Sequence, residues 1–188
     1  MTSQRRIALI RGINVGRAKR VAMADLRALI EGLGYRDVRS VLNSGNVVFT
    51  ADGVAPDAAA AAIEEQLVLK LGVAARVMVL DGDDLAVVLA ENTLLEQASD
   101  HARLLVFILS DAAMRAAVLP LSEHGWGNEA LAIGQRAAYV WCPEGVLASA
   151  AATAVGKALG DNTTSRNWNT LCKLYALCKE PALAPPGA

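Results

Sequence analysis

The sequence predicts an α+β protein with two tandem ferredoxin-like halves of the βαββαβ type, the second carrying an added C-terminal helix. Two observations support this class. Short apolar segments with strand-like patterns alternate with longer segments of helical periodicity. The resulting order of elements then begins again after residue 101. The chain has 188 residues and is 54% hydrophobic, so it can bury a full core.

The first half, residues 1–92, follows the expected order of strands and helices. Residues 5–13 are an apolar strand. Residues 23–34 place Met23, Leu26 and Ile30 at helical spacing before Gly34, which can end a helix. The remaining elements are the strands 37–43 and 46–51 of a hairpin, a helix at 56–72, a strand at 75–81 and a short helix at 82–92.

The second half, residues 102–180, follows a linker at 93–101 and repeats this order without a residue-level repeat. Its elements are a strand at 102–110, a helix at 111–120, the strands 128–134 and 136–142 of a hairpin, and a helix at 144–160. We expect the last strand of this half to be weak or replaced. A final helix runs from near Arg166 to about Lys179, and residues 181–188 form a flexible tail.

Charge is distributed unevenly along a chain whose net charge is −1. Residues 1–50 hold nine Lys and Arg against three Asp and Glu, and residues 51–100 hold two against ten. A basic N-terminal section can attract phosphate groups. Alternatively, the two sections neutralise each other within one fold, and composition leaves both interpretations open.

The sequence favours a cytoplasmic protein without a membrane partner. No apolar run reaches the roughly 18 residues of a membrane span, and the N-terminus lacks the apolar core of a signal peptide. Cys142, Cys172 and Cys178 fit no Cys-x-x-Cys pattern, which indicates reduced, partly buried thiols. No His, Cys and carboxylate residues have metal-binding spacing, so we expect no metal and no cofactor. The oligomeric state is left open.

The first candidate site is the segment RGINVGRAKR at residues 11–20. It lacks the residues of a P-loop and of a dinucleotide fingerprint. It joins a strand to the start of a helix, where unpaired N–H groups favour an anion. Its candidate ligand-binding residues are Arg11, Gly12, Asn14, Gly16 and Arg17, with Lys19 and Arg20 as further cations. The alternative is a solvated loop in which the Gly and Asn residues adopt positive φ.

Topology predicts that a second segment lies beside this loop. In a split βαβ unit the first two strands are parallel, so their C-terminal ends share one edge of the sheet. Asn43, Ser44, Gly45 and Asn46 would therefore lie next to residues 12–14 and contribute amides and a hydroxyl to a ligand site. Alternatively, the Asn side chains bond locally to the backbone of the turn.

The third candidate segment is TTSRNWNT at residues 163–170. Thr164 or Ser165 is a good N-cap for the final helix, and helical spacing places Trp168 on the buried face. The predicted ligand-binding residues here are Arg166, Asn167, Asn169 and Thr170, of which Arg166, Asn169 and Thr170 fall with Lys173 on the opposite face. The alternative is an ordinary solvated face. We also consider that this segment and the 11–20 loop form one site.

Four motifs together resemble a bacterial domain-of-unknown-function family, number 1697. They are RGINVG at 11–16, Met-x-x-Leu at 23–26, SGNVVF at 44–49 and TSRNWNT at 164–170. The resemblance covers nearly the whole chain, although Arg17 stands where the family often has Gly. It implies the fold and marks the special positions, and it supplies no reaction.

Three functions are compatible with these features. The first is a binding module for a phosphate-bearing ligand, either a nucleotide or nucleic acid, using residues 11–20 and the helix start at 163–173. The second is an enzyme in which Arg11, Asn14, Ser44 and Arg166 orient a small anionic substrate. The scarcity of acid–base groups disfavours it, and its catalytic residues are unknown. The third is a protein-interaction module.

Overall fold

A computed structural model of the chain describes residues 4–16 and 20–181. These residues form a mixed α+β fold with two four-stranded antiparallel sheets and six α-helices. The strands are β1 (Arg5–Ile10), β2 (Arg36–Val41), β3 (Asn46–Thr50), β4 (Val77–Asp81), β5 (Leu104–Ile108), β6 (Ala130–Ile133), β7 (Ala137–Trp141) and β8 (Ser165–Asn167). The helices are α1 (Met23–Glu31), α2 (Pro56–Leu71), α3 (Gly82–Ala90), α4 (Ala112–Val118), α5 (Ala150–Leu159) and α6 (Trp168–Lys179).

Contacts divide the described residues into two compact units. The first contains the residues up to Gly82 together with those from Lys173 onward, and the second contains Asp83–Cys172. Helix α6 therefore contributes to both units. Of the predicted flexible tail, residues 182–188 lie outside the described residues, as do Arg17 and Lys19 in the basic segment.

The first unit is built on a sheet of strand order β2-β3-β1-β4. Strand β1 lies in the middle, where Ile7 pairs with Val48 of β3 and with Leu80 of β4. One face of the sheet packs against the apolar faces of α1 and α2 because both helices place buried residues at helical spacing. This core includes Ala8, Ile10, Leu26, Ile30, Val47, Phe49, Ile63 and Leu67. Each large side chain stabilises the fold by about 1.5–3 kcal/mol through burial.

The second unit is built on a sheet of strand order β6-β7-β5-β8. Val106 of β5 pairs with Tyr139 of β7 and with Arg166 of β8. The core on one face includes Leu105, Phe107, Met114, Val140, Ala151 and Val155. The buried Tyr139 donates its hydroxyl hydrogen to the Val88 carbonyl oxygen at 2.6 Å, which joins α3 to the sheet.

Ion pairs within the first unit join its basic and acidic sections. Arg6 pairs with Asp81 across the β1–β4 ladder, and Arg36 pairs with Asp52. The Arg6 side chain is only 5% exposed, and it also donates to the Val54 carbonyl oxygen at 2.7 Å. Neutralisation within the fold therefore accounts for part of the charge asymmetry along the chain.

Several predicted elements have shorter bounds in the structure. Strand β1 ends at Ile10, because the chain then turns into the 11–16 loop. The helix expected at 144–160 begins only at Ala150, after a 3₁₀ turn at Val146–Ala148. Ser149 fixes this start because its Oγ accepts from the Ala152 N–H at 2.9 Å. Among the described residues, no helix has the length and apolar character needed to cross a bilayer.

Candidate functional site

The 11–16 loop has backbone φ angles that alternate in sign. Gly12, Asn14 and Gly16 have φ of +72°, +57° and +54°, whereas Ile13 and Val15 between them have negative φ. Glycine adopts positive φ without a steric penalty, and Asn tolerates it better than most residues. Alternating handedness of this kind turns successive N–H groups toward one side of the backbone, which is how protein loops form concave anion sites.

Asn14 holds this loop in place through its side-chain amide. Its Nδ2 donates to the carbonyl oxygens of Val21 and Asn43, each at 2.8 Å. Its Oδ1 accepts from the Val21 N–H, also at 2.8 Å. These bonds join the loop to Val21, two positions before α1, and to the turn that follows β2. The Asn14 amide therefore has a structural role. This agrees with the alternative interpretation of the sequence, in which these Asn side chains form local hydrogen bonds.

The turn at residues 42–45 lies directly beside the loop, as topology predicts. The Ile10 N–H donates to the Gly45 carbonyl oxygen at 2.8 Å. Gly45 has φ +75°, and a Cβ there would lie 2.9 Å from the Cβ and carbonyl oxygen of Ile10. Only glycine permits this close approach. The motif SGNVVF therefore needs its glycine for packing of the turn against β1.

Asn46 and Ser44 interact with each other and with the strand end. Asn46 is fully buried, and its Nδ2 donates to the Val41 carbonyl oxygen at 3.1 Å and to Ser44 Oγ at 3.0 Å. Because a buried amide needs such partners, these bonds give Asn46 a structural role. Asn43 is exposed, and its carbonyl oxygen accepts from Asn14.

The loop contains a row of backbone donors that have no acceptor in the part of the chain that the structure describes. Within residues 4–16 and 20–181, no backbone N–H from Gly12 to Gly16 donates a hydrogen bond. Gly12, Val15 and Gly16 are exposed, and so is Arg20, which forms no ion pair with the described residues. Helix α1 begins nearby, after Ala22, which supplies no side-chain cap. The predicted contributors Arg17 and Lys19 lie outside the described residues.

The 163–170 segment differs from the predicted helix start. Residues 165–167 form the short strand β8, and α6 begins only at Trp168. The cap is Asn167 rather than Thr164 or Ser165, because Asn167 Oδ1 accepts from the Thr170 N–H at 2.9 Å. Pairing with β5 keeps residues 165–167 extended, since the Ile108 N–H and the β5 backbone bond to this segment.

This shift changes which side chains of the segment are displayed. Trp168 is 7% exposed, which confirms the prediction that it is a buried anchor. Thr170 is buried at 6% exposure, so the prediction that it lies on the displayed face is wrong. Its hydroxyl instead donates to Asn167 Oδ1 at 2.8 Å. Asn169 and Lys173 are exposed on α6.

Arg166 lies on β8 instead of on the displayed face of a helix. Its Nη1 donates to Thr164 Oγ1 at 2.9 Å and to the Ser165 carbonyl oxygen at 2.8 Å. Burial lowers the pKa of the Arg166 guanidinium to about 10, because a charged group loses hydration there. The side chain remains a cation near neutral pH, held by its own strand.

Cys142 and Cys172 lack the environment of an activated nucleophile. The three cysteines form no disulfide with one another, and Cys142 and Cys178 are buried. Burial raises the pKa of the Cys142 thiol and of the Cys172 thiol, which disfavours the reactive thiolate. Within the described part of the chain, no group of three or more His, Cys, Asp and Glu side chains could hold a metal ion.

A second concave surface lies in the second unit, at residues that the motifs did not indicate. The cavity has a volume of about 330 Å³, and Arg115 and Arg136 are among its lining residues. It lies where β5 ends and β7 begins. The repeated order of elements could have indicated this surface, because its position in the second unit corresponds to the 11–16 loop and the 42–45 turn in the first unit.

Fold and site together define a mixed α+β protein with two four-stranded antiparallel sheets and an exposed, glycine-containing loop at one sheet edge. The chain belongs to the family described as "Protein of unknown function (DUF1697)", which matches residues 3–139. The matched range includes the motifs at 11–16 and 44–49 and ends before the one at 164–170.

The fold is similar to that of a solved structure. This structure is that of a conserved bacterial protein from Streptococcus pneumoniae, with a TM-score of 0.74 and 24% sequence identity. The similarity covers 94% of this chain and 99% of that chain. No curated protein matches the chain.

Proposed function

We propose that the chain is a binding module for a phosphate-bearing ligand, a nucleotide or nucleic acid, and that the 11–16 loop holds the phosphate. The observation that carries the proposal is the positive φ of Gly12, Asn14 and Gly16, alternating with negative φ at Ile13 and Val15, together with five successive N–H groups that have no acceptor among the described residues. Backbone donors of this kind bind anions without a specific side chain.

The surroundings of the loop favour an anion as well. Arg11 begins the loop and the exposed Arg20 follows it, while the uncapped start of α1 adds partial positive charge. Asn14 ties the loop to Val21, two residues before this helix begins at Met23, so both groups of donors lie close together. The bonds of Asn14 hold the donors in position before a ligand arrives, which lowers the entropy lost on binding.

The proposal assigns different roles to the predicted ligand-binding residues. The backbone of Gly12 and Gly16 and the side chain of Arg11 would contact the phosphate. Asn14, Gly45 and Asn46 would maintain the loop and turn instead of contacting the ligand, because their contacts are internal. In the 163–173 segment, Asn169 and Lys173 are the exposed side chains among those predicted to be displayed on the final helix.

We further propose that each half has the ferredoxin-like arrangement. The strand orders β2-β3-β1-β4 and β6-β7-β5-β8, with antiparallel pairing throughout both sheets, support this assignment. Ferredoxin-like sheets bind RNA in other proteins, but such analogy is weak support for function.

A titration of the intact chain with ATP and with a single-stranded oligonucleotide tests the proposed function. Binding should raise the unfolding temperature in a saturable manner. For the oligonucleotide, the logarithm of the affinity should fall linearly with the logarithm of the salt concentration. Arg20→Glu should weaken binding by roughly tenfold or more, since it replaces a charge-assisted contact with repulsion.

Arg36→Glu is the matched control because it makes the same charge change at the opposite end of β2 from the 42–45 turn. Affinity should change much less in this variant. Equal loss in both variants would show that only overall charge matters. Absence of saturable binding to either probe would refute the proposal.

A further inference from the structure

We propose that the second unit contains a separate binding site for a small aliphatic monocarboxylate, in the cavity beside Arg115. The cavity has a volume of about 330 Å³, which lies within the range of roughly 300–1,000 Å³ typical of small-molecule sites. Its lining includes Ser110, Asp111, Arg115, Leu119, Gln135 and Arg136. We call it the Arg115 cavity.

The Arg115 cavity occupies the sheet edge that corresponds to the 11–16 loop. In the first unit, the Ile10 N–H donates to the Gly45 carbonyl oxygen at 2.8 Å. In the second, the Leu109 N–H donates to the Arg136 carbonyl oxygen at 2.8 Å, at the same point of the strand pairing. The connection from β5 to α4 is shorter than that from β1 to α1, so this edge is concave and lined by side chains.

Arg115 is positioned to bind a group with two oxygens. Its Nε donates to the Gly134 carbonyl oxygen at 3.0 Å, which fixes the guanidinium against the β6–β7 turn. Arg115 forms no ion pair with any residue in the described ranges. With Nε occupied, the two terminal nitrogens remain available as a fork, and a planar fork of two donors matches the two oxygens of a carboxylate.

The charges around the cavity favour a monoanion. Arg136 already pairs with Asp84, with 3.1 Å between Nη2 and Oδ1. Glu91 lies behind the turn, where its Oε2 accepts from the Gln135 N–H at 2.8 Å. Asp111 adds a negative charge to the lining. Of the two arginines that line the cavity, Arg115 is thus the one without a carboxylate partner among the described residues. Asp111 would repel a phosphate dianion more strongly than a monoanion.

The remaining lining fits a short aliphatic body. Ala112 and Ala116 lie on α4, and Leu119 follows this helix with 38% of its surface exposed. An alkyl chain packed against these side chains would remove apolar surface from water at both partners. Carboxylate recognition at Arg115 and this apolar wall together define the ligand class.

The test is NMR titration of the ¹⁵N-labelled intact chain with 4-methylpentanoate. Saturable shifts should be confined to residues 109–119 and 134–136. Arg115→Gln should weaken the affinity by roughly tenfold or more, because the charged fork is lost. Ala116→Leu keeps Arg115 but narrows the cavity, and since Ala116 is exposed the variant should fold and also bind less tightly.

Arg103→Gln is the matched control because Arg103 precedes β5, at the other end of the strand from the cavity. It should bind 4-methylpentanoate as the unmodified chain does. Inorganic phosphate should compete poorly. The proposal is overturned if no saturable shifts occur, if Arg103→Gln has the same effect as Arg115→Gln, or if phosphate binds at the cavity as tightly as 4-methylpentanoate.

Discussion

Asn14→Ala offers the sharpest test of how the candidate loop is maintained. Three hydrogen bonds of 2.8 Å join the Asn14 amide to Val21 and Asn43. A typical hydrogen bond contributes about 0.5–1.5 kcal/mol net to stability. Val21 is only 5% exposed, so water cannot readily replace both of its bonds. By contrast, the bond to the exposed Asn43 is the one that water can replace.

The backbone conformation adds a second contribution. Asn14 has φ +57°, a conformation that costs Ala about 1 kcal/mol more than it costs Asn or Gly. With two bonds lost fully and one in part, Asn14→Ala should lower the free energy of unfolding by about 3 kcal/mol. This is a large share of the roughly 5–15 kcal/mol that stabilises a typical domain.

Urea denaturation of three variants separates the two contributions. Asn14→Gly loses the bonds but accepts positive φ, so it should be about 1 kcal/mol more stable than Asn14→Ala. Asn14→Asp retains an acceptor for the Val21 N–H and should lie between Gly and the unmodified chain. The slope of unfolding free energy against urea should stay constant, so that the midpoints report stability.

A loss below about 0.5 kcal/mol for Asn14→Ala would refute this reasoning, because hydrogen bonds to a buried residue cannot be removed at so small a cost. Equal stability of Asn14→Ala and Asn14→Gly would show that the loop relaxes out of the left-handed conformation.

Three further predictions concern the turn, the last helix and the acid stability of the second unit. Gly45→Ala should destabilise the chain by about 2–4 kcal/mol, from positive φ and overpacking against Ile10. Gly53→Ala, with φ +69° and no atom within 4 Å of the new Cβ, should lose only about 1 kcal/mol, and similar urea midpoints for the two would contradict the packing argument. Trp168→Ala should lower the unfolding free energy by about 3–5 kcal/mol, and a loss under about 1 kcal/mol would mean that the ring is not a core anchor. Burial alone would raise the pKa of Glu129, but hydrogen bonds from Ser149, Ala150 and Ala151 lower it overall from 4.5. A carboxyl group whose pKa is lowered by folding stabilises the fold at pH values above its unfolded-state pKa. This stability is lost as the pH falls through its folded-state pKa. The Glu129→Gln variant should therefore unfold more easily than the unmodified chain near neutral pH and lose less stability on acidification. Thermal melts from pH 7 to pH 3 measure this difference. The same dependence of unfolding temperature on pH in both proteins would count against this role.

Local patterns predicted most of the regular elements. The apolar residues of α1 and α2 recur at helical spacing, and the first hairpin alternates around a Ser-Gly turn. Topology then placed residues 12–14 beside residues 43–46, because strand order follows from the order of elements. The bond from Asn14 to the Asn43 carbonyl oxygen shows this adjacency. The Gly and Asn residues of the loop indicated positive φ, because these residue types tolerate that conformation, and the structure has positive φ at Gly12, Asn14 and Gly16.

The details of the 163–170 segment depended on a distant partner. Helical spacing correctly predicted a buried Trp168. It could not show that residues 165–167 pair with β5, sixty residues earlier, because such pairing leaves no local periodicity in three residues. That pairing moves the helix start to Trp168, makes Asn167 the cap and buries Thr170.

The sequence by itself determined most of the strands and helices, much of the apolar core, and which loop carries glycines and cations. Tertiary structure alone decided how each polar group is used. The amides of Asn14 and Asn46 are engaged in internal bonds. By contrast, the N–H groups of residues 12–16 and the terminal nitrogens of Arg115 have no hydrogen-bond partner among the described residues. The physical reason is that a hydrogen bond depends on distance and direction between groups far apart in the chain, whereas hydrophobic periodicity is a property of neighbours.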